Sequence, residues 1–134
     1  MAKRVVGIVE KIEIAGEEKV KTYALFDTGA RRTSVDTKLA GKAKLGPIIS
    51  IISVRQASTK NRIKRPVVRA LIRIKKRTFD VKVNIQDREH MSFPVIIGRD
   101  VLAGNFLVDA SKNRELFQKK KRKTEQHNLM KYVS

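Results

Sequence analysis

The stretch Ala-Leu-Phe-Asp-Thr-Gly-Ala at residues 24–30 decides the fold that we expect for this chain. Apolar side chains alternate with other residues from Val20 to Phe26, which is the pattern of a strand with one buried face. This strand runs directly into an Asp-Thr-Gly tripeptide that begins at Asp27. On its own, the tripeptide also fits an ordinary turn in which Asp27 caps its own loop and Gly29 adopts a positive φ. A chemical interpretation therefore needs support from other parts of the sequence.

The same period of two recurs along the chain and predicts a mostly-β fold. Residues 68–75 and 79–85 alternate in this way, and residues 12–14 precede a turn at residues 15–17. Residues 99–103 read as a short helix that ends at Gly104 with a left-handed cap. Short strands, frequent turns and one short C-terminal helix favour a mostly-β barrel or sandwich of closed type.

The composition is that of one small domain with a large positive charge. The chain has 134 residues, of which 41% are hydrophobic, and this is enough for a core of its own. It has 31 Lys and Arg residues against 13 Asp and Glu residues, so its net charge is +18. Such a charge predicts negatively charged partners, such as nucleic acid, a ribosome surface or an acidic peptide. With no long apolar run and no leader-like N-terminus, we expect a cytoplasmic protein without membrane contact.

Two segments are rich in positive charge. Residues 55–77 contain no acidic residue, and residues 119–123 are Lys-Lys-Lys-Arg-Lys. Because like charges at this density repel one another, we expect a flexible basic tail at residues 114–134, beside a domain at residues 1–113. Either segment could contact RNA phosphates. An aromatic content of 5% leaves few rings for base stacking, which argues against sequence-specific RNA recognition.

A second motif, near the end of the chain, supports a chemical role for the tripeptide. Residues 96–104 read Ile-Ile-Gly-Arg-Asp-Val-Leu-Ala-Gly. A strand that ends in Asp-Thr-Gly and is followed later by this motif resembles the retropepsin-like aspartic proteases. With residues 65–68 and 87–91, the pattern resembles a branch of small prokaryotic proteins that are labelled ATP-dependent zinc proteases. The resemblance covers about residues 4–113.

The resemblance implies a closed retropepsin-like β-barrel whose active site is shared by two chains. Aspartic proteases activate water between two carboxylates that share one proton, and this chain has a single Asp-Thr-Gly. A homodimer would supply the second carboxylate across a two-fold axis. The resemblance therefore implies Asp27 as the catalytic residue. The active-site loop around it would comprise Thr28, Gly29 and Ala30.

Four further residues are expected to support this loop: Arg31, Gly98, Arg99 and Asp100. In the family, the Gly-Arg-Asn or Gly-Arg-Asp turn packs beneath the active-site loop. In viral enzymes, the arginine of this turn meets an aspartate at the position where this chain has Arg31. Since Arg31 is positively charged, Arg99 must have a different partner here. Asp100 could pair with Arg31 instead. Arg99 could pair with Asp36 or Asp87, and all of these pairs could be purely structural.

The flap that closes over substrate in viral retropepsins has no glycine-rich counterpart here. No glycine lies between Gly46 and Gly98, and the candidate segment at residues 53–61 is polar and basic. If the basic strands border the active site, a positive cleft would attract an acidic peptide. Relatives of this branch are associated with enzymes that ligate glutamate, which implies the same substrate class. The candidate anion contacts are Arg55, Arg62 and Arg65.

The sequence does not support zinc or ATP chemistry. It contains two histidines, His90 and His127, with no cysteine, no His-Glu-x-x-His motif and no P-loop. We therefore expect neither a metal nor a cofactor. Two functions stay open. One is an aspartic-type endopeptidase that acts as a homodimer on acidic peptide segments, and the other is a non-catalytic basic module that binds RNA, the ribosome or an acidic protein.

Overall fold

The computed structural model describes residues 3–55 and 60–133. Within these residues the chain forms strands and helices in a mostly-β arrangement. The strands are β1 (Arg4–Gly7), β2 (Val9–Ala15), β3 (Lys19–Phe26), β4 (Ser34–Asp36), β5 (Ser50–Arg55), β6 (Arg62–Ile74), β7 (Arg77–Gln86), β8 (Val95–Ile97) and β9 (Phe106–Asp109). The helices are α1 (Thr37–Lys42), α2 (Arg99–Leu102) and α3 (Arg114–Val133).

Six strands close into a barrel. Their hydrogen-bonded order is β2-β3-β8-β4-β7-β6, and a pairing between β2 and β6 completes the circle. β5 pairs with the first half of β6, and β1 forms a separate parallel pair with β9. The closed, mostly-β barrel expected from the sequence is confirmed.

Side-chain alternation along the strands fills the barrel interior. Ile14, Ile72, Val83 and Ile97 have no exposed surface, although their sequence neighbours on each strand are more accessible. Burial of one such side chain stabilises the fold by about 1.5–3 kcal/mol, so the β-branched positions supply most of the driving force. The period-two pattern read from the sequence therefore corresponds to the true inner face of the barrel.

The C-terminal segment, whose charge predicts a flexible tail, is helical. Residues 114–133 form helix α3, since lysine and arginine are good helix formers and side-chain contacts hold this helix to the rest of the domain. The ring of Phe117 stacks on Phe93 with centroids 5.9 Å apart. The ammonium group of Lys120 lies 4.2 Å from the centroid of the Tyr23 ring. The division of the chain at residue 113 stays a prediction.

The short helix expected at residues 99–103 is α2, and it is followed by Gly104 with a φ of 80°. Helix α1 was not anticipated. It begins after Asp36, whose carboxylate accepts a hydrogen bond from the backbone N–H of Lys38 at 3.0 Å. Among the described residues, no helix is both long enough and apolar enough to cross a membrane.

We predict that Asp36→Ala lowers the free energy of unfolding by about 2 to 4 kcal/mol, as measured by urea denaturation. Asp36 is buried, and its second oxygen accepts the backbone N–H of Arg88 at 2.8 Å. Alanine removes the helix cap and leaves a buried N–H without an acceptor. Asp36→Asn keeps an acceptor oxygen and should lose clearly less stability. Equal stability of Asp36→Ala and the wild-type protein would contradict this role.

Candidate active site

The loop that contains the Asp-Thr-Gly tripeptide lies across the end of β8 because of the strand order. β3 and β8 run parallel with Phe26 opposite Ile97, so the two strands end side by side. β4 pairs with the other edge of β8, so residues 27–33, which we call the Asp27 loop, must cross over Gly98. A Cβ atom at Gly98 would lie 2.7 Å from the carbonyl oxygen of Arg32. Only glycine permits this crossing without a shift of the backbone.

Hydrogen bonds place the carboxyl group of Asp27 at the start of this loop. The backbone N–H of Asp27 donates to the carbonyl oxygen of Ile97 at 2.9 Å. The backbone N–H of Gly29 donates to Oδ1 of Asp27 at 2.9 Å, and Ala30 N–H donates to the Asp27 carbonyl at 3.1 Å. The turn expected from the tripeptide is present, but Gly29 does not have a positive φ. A Cβ atom at Gly29 would instead lie 3.2 Å from Asp27 Oδ1, so this glycine leaves room for the carboxylate.

Arg99 contacts the Asp27 loop from below through two hydrogen bonds. Its backbone N–H donates to the carbonyl oxygen of Ala30 at 2.8 Å. Its guanidinium Nη1 donates to the carbonyl oxygen of Thr28 at 3.1 Å. These two hydrogen bonds join the first turn of α2 to the tip of the loop. The guanidinium of Arg99 is satisfied by a backbone carbonyl oxygen and needs no carboxylate partner.

The carboxylate of Asp100 holds the far end of the loop through Thr33. Oδ2 accepts the Thr33 backbone N–H at 3.0 Å, and Oδ1 accepts the Thr33 hydroxyl at 2.8 Å. The same hydroxyl oxygen accepts the backbone N–H of Gly98 at 3.2 Å, and Thr33 is completely buried. Thr33 therefore connects the loop, the end of β8 and α2. Sequence reasoning did not assign it a role, although it lies within residues 4–113, which the family resemblance covers.

The ion pairs considered from the sequence do not form within residues 3–55 and 60–133. Asp100 bonds to Thr33 and not to Arg31, and Arg99 bonds to carbonyl oxygens and not to Asp36 or Asp87. The physical reason is that neutral backbone donors and acceptors lie closer to both side chains. Arg31 is left exposed, with no hydrogen bond to the described part of the chain.

A cleft of about 370 Å³ opens beside the Asp27 loop, between this loop and the β5–β6 hairpin. We call it the arginine cleft because four arginines line it, together with the apolar side chains of Ile52 and Val54. The four are Arg31, Arg32, Arg55 and Arg65. Two of the three anion contacts predicted from the sequence, Arg55 and Arg65, thus lie in the cleft, whereas Arg62 bonds along the hairpin to Ser53 Oγ at 2.9 Å. Part of the predicted flap, residues 56–59, lies outside the described residues.

The partly buried charge of Arg65 makes the arginine cleft receptive to an anion. Burial lowers the pKa of Arg65, whose guanidinium forms a single, long hydrogen bond of 3.4 Å within the described residues, to Asn84 Oδ1. Burial also lowers the pKa of Arg88, where the carboxylates of Asp36 and Asp27 act in the opposite direction. Desolvation penalises the charged form of Arg65 in the cleft, and the attraction of a carboxylate that entered the cleft would offset this penalty.

Asn84 is a further residue that the sequence analysis missed. Its Oδ1 accepts the hydroxyl of Ser34 at 3.0 Å, and its Nδ2 donates to the carbonyl oxygen of Thr33 at 3.2 Å. It lies on β7 opposite the start of β4 and at the wall of the arginine cleft. An isolated asparagine in an alternating strand carries no signal in sequence, because its role depends on which strand lies beside it.

We predict that Gly98→Ala lowers the free energy of unfolding by about 1 to 3 kcal/mol, because the added methyl group meets backbone atoms that cannot rotate away. Gly41→Ala is the matched control. Its Cβ would meet nothing within 4 Å, so alanine in helix α1 should leave stability equal or slightly higher. Thermal unfolding of both variants measures the difference. Equal stability of the Gly98→Ala and Gly41→Ala proteins would contradict the close approach of the Asp27 loop to Gly98.

No group of three or more His, Asp or Glu side chains in the described part of the chain converges to hold a metal ion. His90 and His127 are both exposed.

Comparison with known sequences identifies one family. The profile of the RimB-like family, described as retropepsin-like aspartic endopeptidase RimB, matches residues 33–121. This range includes Thr33, Asn84 and the segment around Arg99, and it begins after the Asp-Thr-Gly tripeptide. No curated protein matches the chain at a significant level.

Comparison with solved structures finds the same fold. The crystal structure of Lpg0085 (DUF785), a protein of unknown function from Legionella pneumophila, is 23% identical with a TM-score of 0.58, covering 82% of this chain and 95% of that one. EIAV protease in complex with the inhibitor HBY-793 is 20% identical with a TM-score of 0.59, covering 75% and 91%. The solution structure of simian foamy virus (mac) protease is 16% identical with a TM-score of 0.50, covering 67% and 86%. At such identities these similarities show the fold, which is the retropepsin-like fold that the sequence motifs predicted.

Proposed function

Because the chain belongs to the RimB-like family of retropepsin-like aspartic endopeptidases, we propose that it hydrolyses peptide bonds as a homodimer with one Asp27 from each subunit. The observation that carries this proposal is the position of Asp27. Its carboxyl group stands at the end of a barrel strand, half-buried and held by the Gly29 N–H, in a loop fastened to β8 and α2. Such a fastened carboxylate is what a two-carboxylate site requires from each subunit.

In the proposed reaction, the two Asp27 side chains share one proton and hold a water molecule. The ionised carboxylate takes a proton from the water as the water oxygen attacks the carbonyl carbon of the peptide bond. The protonated carboxyl group donates its hydrogen to the carbonyl oxygen, and a tetrahedral gem-diol forms. A proton then passes to the amide nitrogen, the C–N bond breaks, and an acid and an amine leave. The shared proton is restored at the end of the cycle.

Exposed groups of the Asp27 loop support a dimeric site. Thr28 and Gly29 are exposed, and the Thr28 hydroxyl has no hydrogen bond to the described residues. The β1–β9 pair also presents apolar surface, since Val5 and Leu107 lie opposite each other and are 47% and 53% exposed. A second copy across a two-fold axis would cover both features and bring the two Asp27 residues together.

The arginine cleft supports acidic peptide segments as the substrate class. It adjoins the Asp27 loop at Ala30, and the described residues compensate the charge of Arg65 only weakly. A glutamate or aspartate side chain of the substrate would pair with these guanidinium groups as an anion.

We predict that Asp27→Asn slows the hydrolysis of an acidic peptide by about 10²- to 10⁴-fold, the usual contribution of a general acid–base group. The exposed carboxylate of Glu17 lies in the β2–β3 turn, so Glu17→Gln removes the same charge away from the site and should leave the rate unchanged. Chromatography of the peptide products measures both rates. An unchanged rate in Asp27→Asn would refute the catalytic assignment.

We predict that an excess of Asp27→Asn protein inhibits the wild-type protein. Mixed dimers contain only one functional carboxylate, so a ninefold excess should lower the activity per wild-type chain about tenfold once subunits exchange. Sedimentation equilibrium should show a species of twice the 15.2 kDa chain mass at the same concentrations. Activity that is independent of the added variant would mean that a single chain carries the whole site.

A binding function without catalysis is the second candidate, and the charge of helix α3 favours it. Lys119, Lys121, Arg122 and Lys123 are exposed on this helix, which gives RNA phosphates a dense set of partners. RNA binding that is salt-dependent, survives Asp27→Asn and disappears when residues 118–134 are deleted would favour this candidate.

A further inference from the structure

A second pocket, of about 460 Å³, opens on the other side of residues 31 and 32. Arg31 and Arg32 line both this pocket and the arginine cleft, so the two spaces adjoin each other at these residues. The rest of the second pocket combines basic side chains from β6 and β7 with apolar ones. Its lining includes Arg69, Phe79, Asp80, Lys82 and Val101.

The second pocket carries uncompensated positive charge. Asp80 forms an ion pair with Arg69 at 3.1 Å, so these two charges largely cancel. The carboxylate of Asp100 is engaged by the two donors of Thr33. The side chains of Arg31, Arg32 and Lys82 form no hydrogen bond or ion pair with any described residue. The pocket is therefore positive even after its acidic residues are counted.

A row of basic side chains links the second pocket to the arginine cleft. Arg65 in the cleft and Arg69 in the pocket lie on the same face of β6, because side chains alternate along a strand. Lys82 stands opposite Arg69 on β7, and Asn84 stands opposite Val67. Four strand residues span about 13 Å, which is also the length of about four residues of an extended peptide.

We propose that the second pocket binds a carboxylate side chain of the same acidic peptide whose scissile region occupies the arginine cleft, about four residues away. This rests on the proposed peptidase function. The partly buried ring of Phe79 favours a peptide over a bare anion, since its accessible surface can pack against the methylene groups of a glutamate side chain. Lys82 and Arg69 provide the charge that recognises the carboxylate.

This arrangement makes recognition depend on substrate length. A short acidic peptide can fill only the arginine cleft, whereas a peptide of about eight residues or more reaches both spaces. Lys82 then contributes only to the longer peptide. Asp80 opposes the longer peptide, because it competes for Arg69 and adds a negative charge.

A binding experiment tests this proposal without catalysis. Fluorescently labelled glutamate peptides of four and ten residues are titrated into full-length Asp27→Asn protein, and binding is followed by fluorescence anisotropy. We expect the ten-residue peptide to bind more tightly per site and with a steeper salt dependence. Adding Lys82→Gln should weaken the ten-residue peptide about three- to fivefold and leave the four-residue peptide unchanged.

A variant that binds the peptide more tightly tests recognition directly, because a damaged fold would weaken binding. Adding Asp80→Asn should tighten the ten-residue peptide by a similar factor, because it frees Arg69. Lys19→Gln is the control for Lys82→Gln, and Glu17→Gln is the control for Asp80→Asn. Each control removes a charge of the same sign at an exposed position of the β2–β3 hairpin. Neither control should change the ratio of the two affinities.

The outcomes also separate this proposal from the peptidase function. If the wild-type protein cleaves both peptides but Lys82→Gln changes neither the ratio of kcat/KM values nor the ratio of affinities, the peptidase function stands and the second pocket is refuted. If nothing is cleaved but the affinity ratio depends on Lys82 and Asp80, the pocket stands and the peptidase function fails. Tight, Lys82-dependent binding of inorganic phosphate without a preference for the longer peptide would assign the pocket to a small anion and overturn the proposal.

Discussion

The close crossing of the Asp27 loop over Gly98 is the constraint on which the rest of the site depends. Because β8 inserts between β3 and β4, the chain that joins those two strands has to pass over the end of β8. The missing side chain of Gly98 permits the passage, and the buried hydroxyl of Thr33 fixes it by bonding to Gly98 and Asp100 at once. These contacts lie deeper in the protein, and they determine the position of the Asp27 carboxyl group.

Charge is organised around this rigid centre in a graded way. Close to the loop, the charged side chains of Arg99 and Asp100 are satisfied by backbone groups or by a neutral hydroxyl. Further out, arginines such as Arg31 and Arg65 have weak partners or none within the described chain. The inner charges hold the architecture, and the outer ones remain available to a ligand. A net charge of +18 is therefore a property of the surfaces around the site more than of the site itself.

Much of the fold was predictable because alternation and burial are local. The strands around Phe26, Ile72 and Val83 follow from period-two patterns, and α2 follows from a glycine stop at Gly104. The tripeptide and the Gly98 motif together indicated the loop and its support. Thr33 and Asn84 escaped notice because a polar residue in a strand is informative only when its neighbour in space is known. The ion pairs considered for Arg31 and Arg99 were wrong for the same reason. Opposite charges in the sequence do not show whether a backbone group or a hydroxyl lies closer to each side chain than its oppositely charged candidate partner.

The sequence by itself determined the β-rich barrel, its family resemblance and its large positive charge, since these depend on residue type and short-range spacing. The tertiary structure decided which of those residues meet. The insertion of β8 between two consecutive strands brings Thr33 to Gly98 and Asp100, and the pairing of β6 with β7 sets Arg69 beside Lys82. It also places Phe117 of helix α3 against the ring of Phe93. Long-range pairing is what a one-dimensional pattern leaves open, because many registers satisfy the same alternation until the barrel closes.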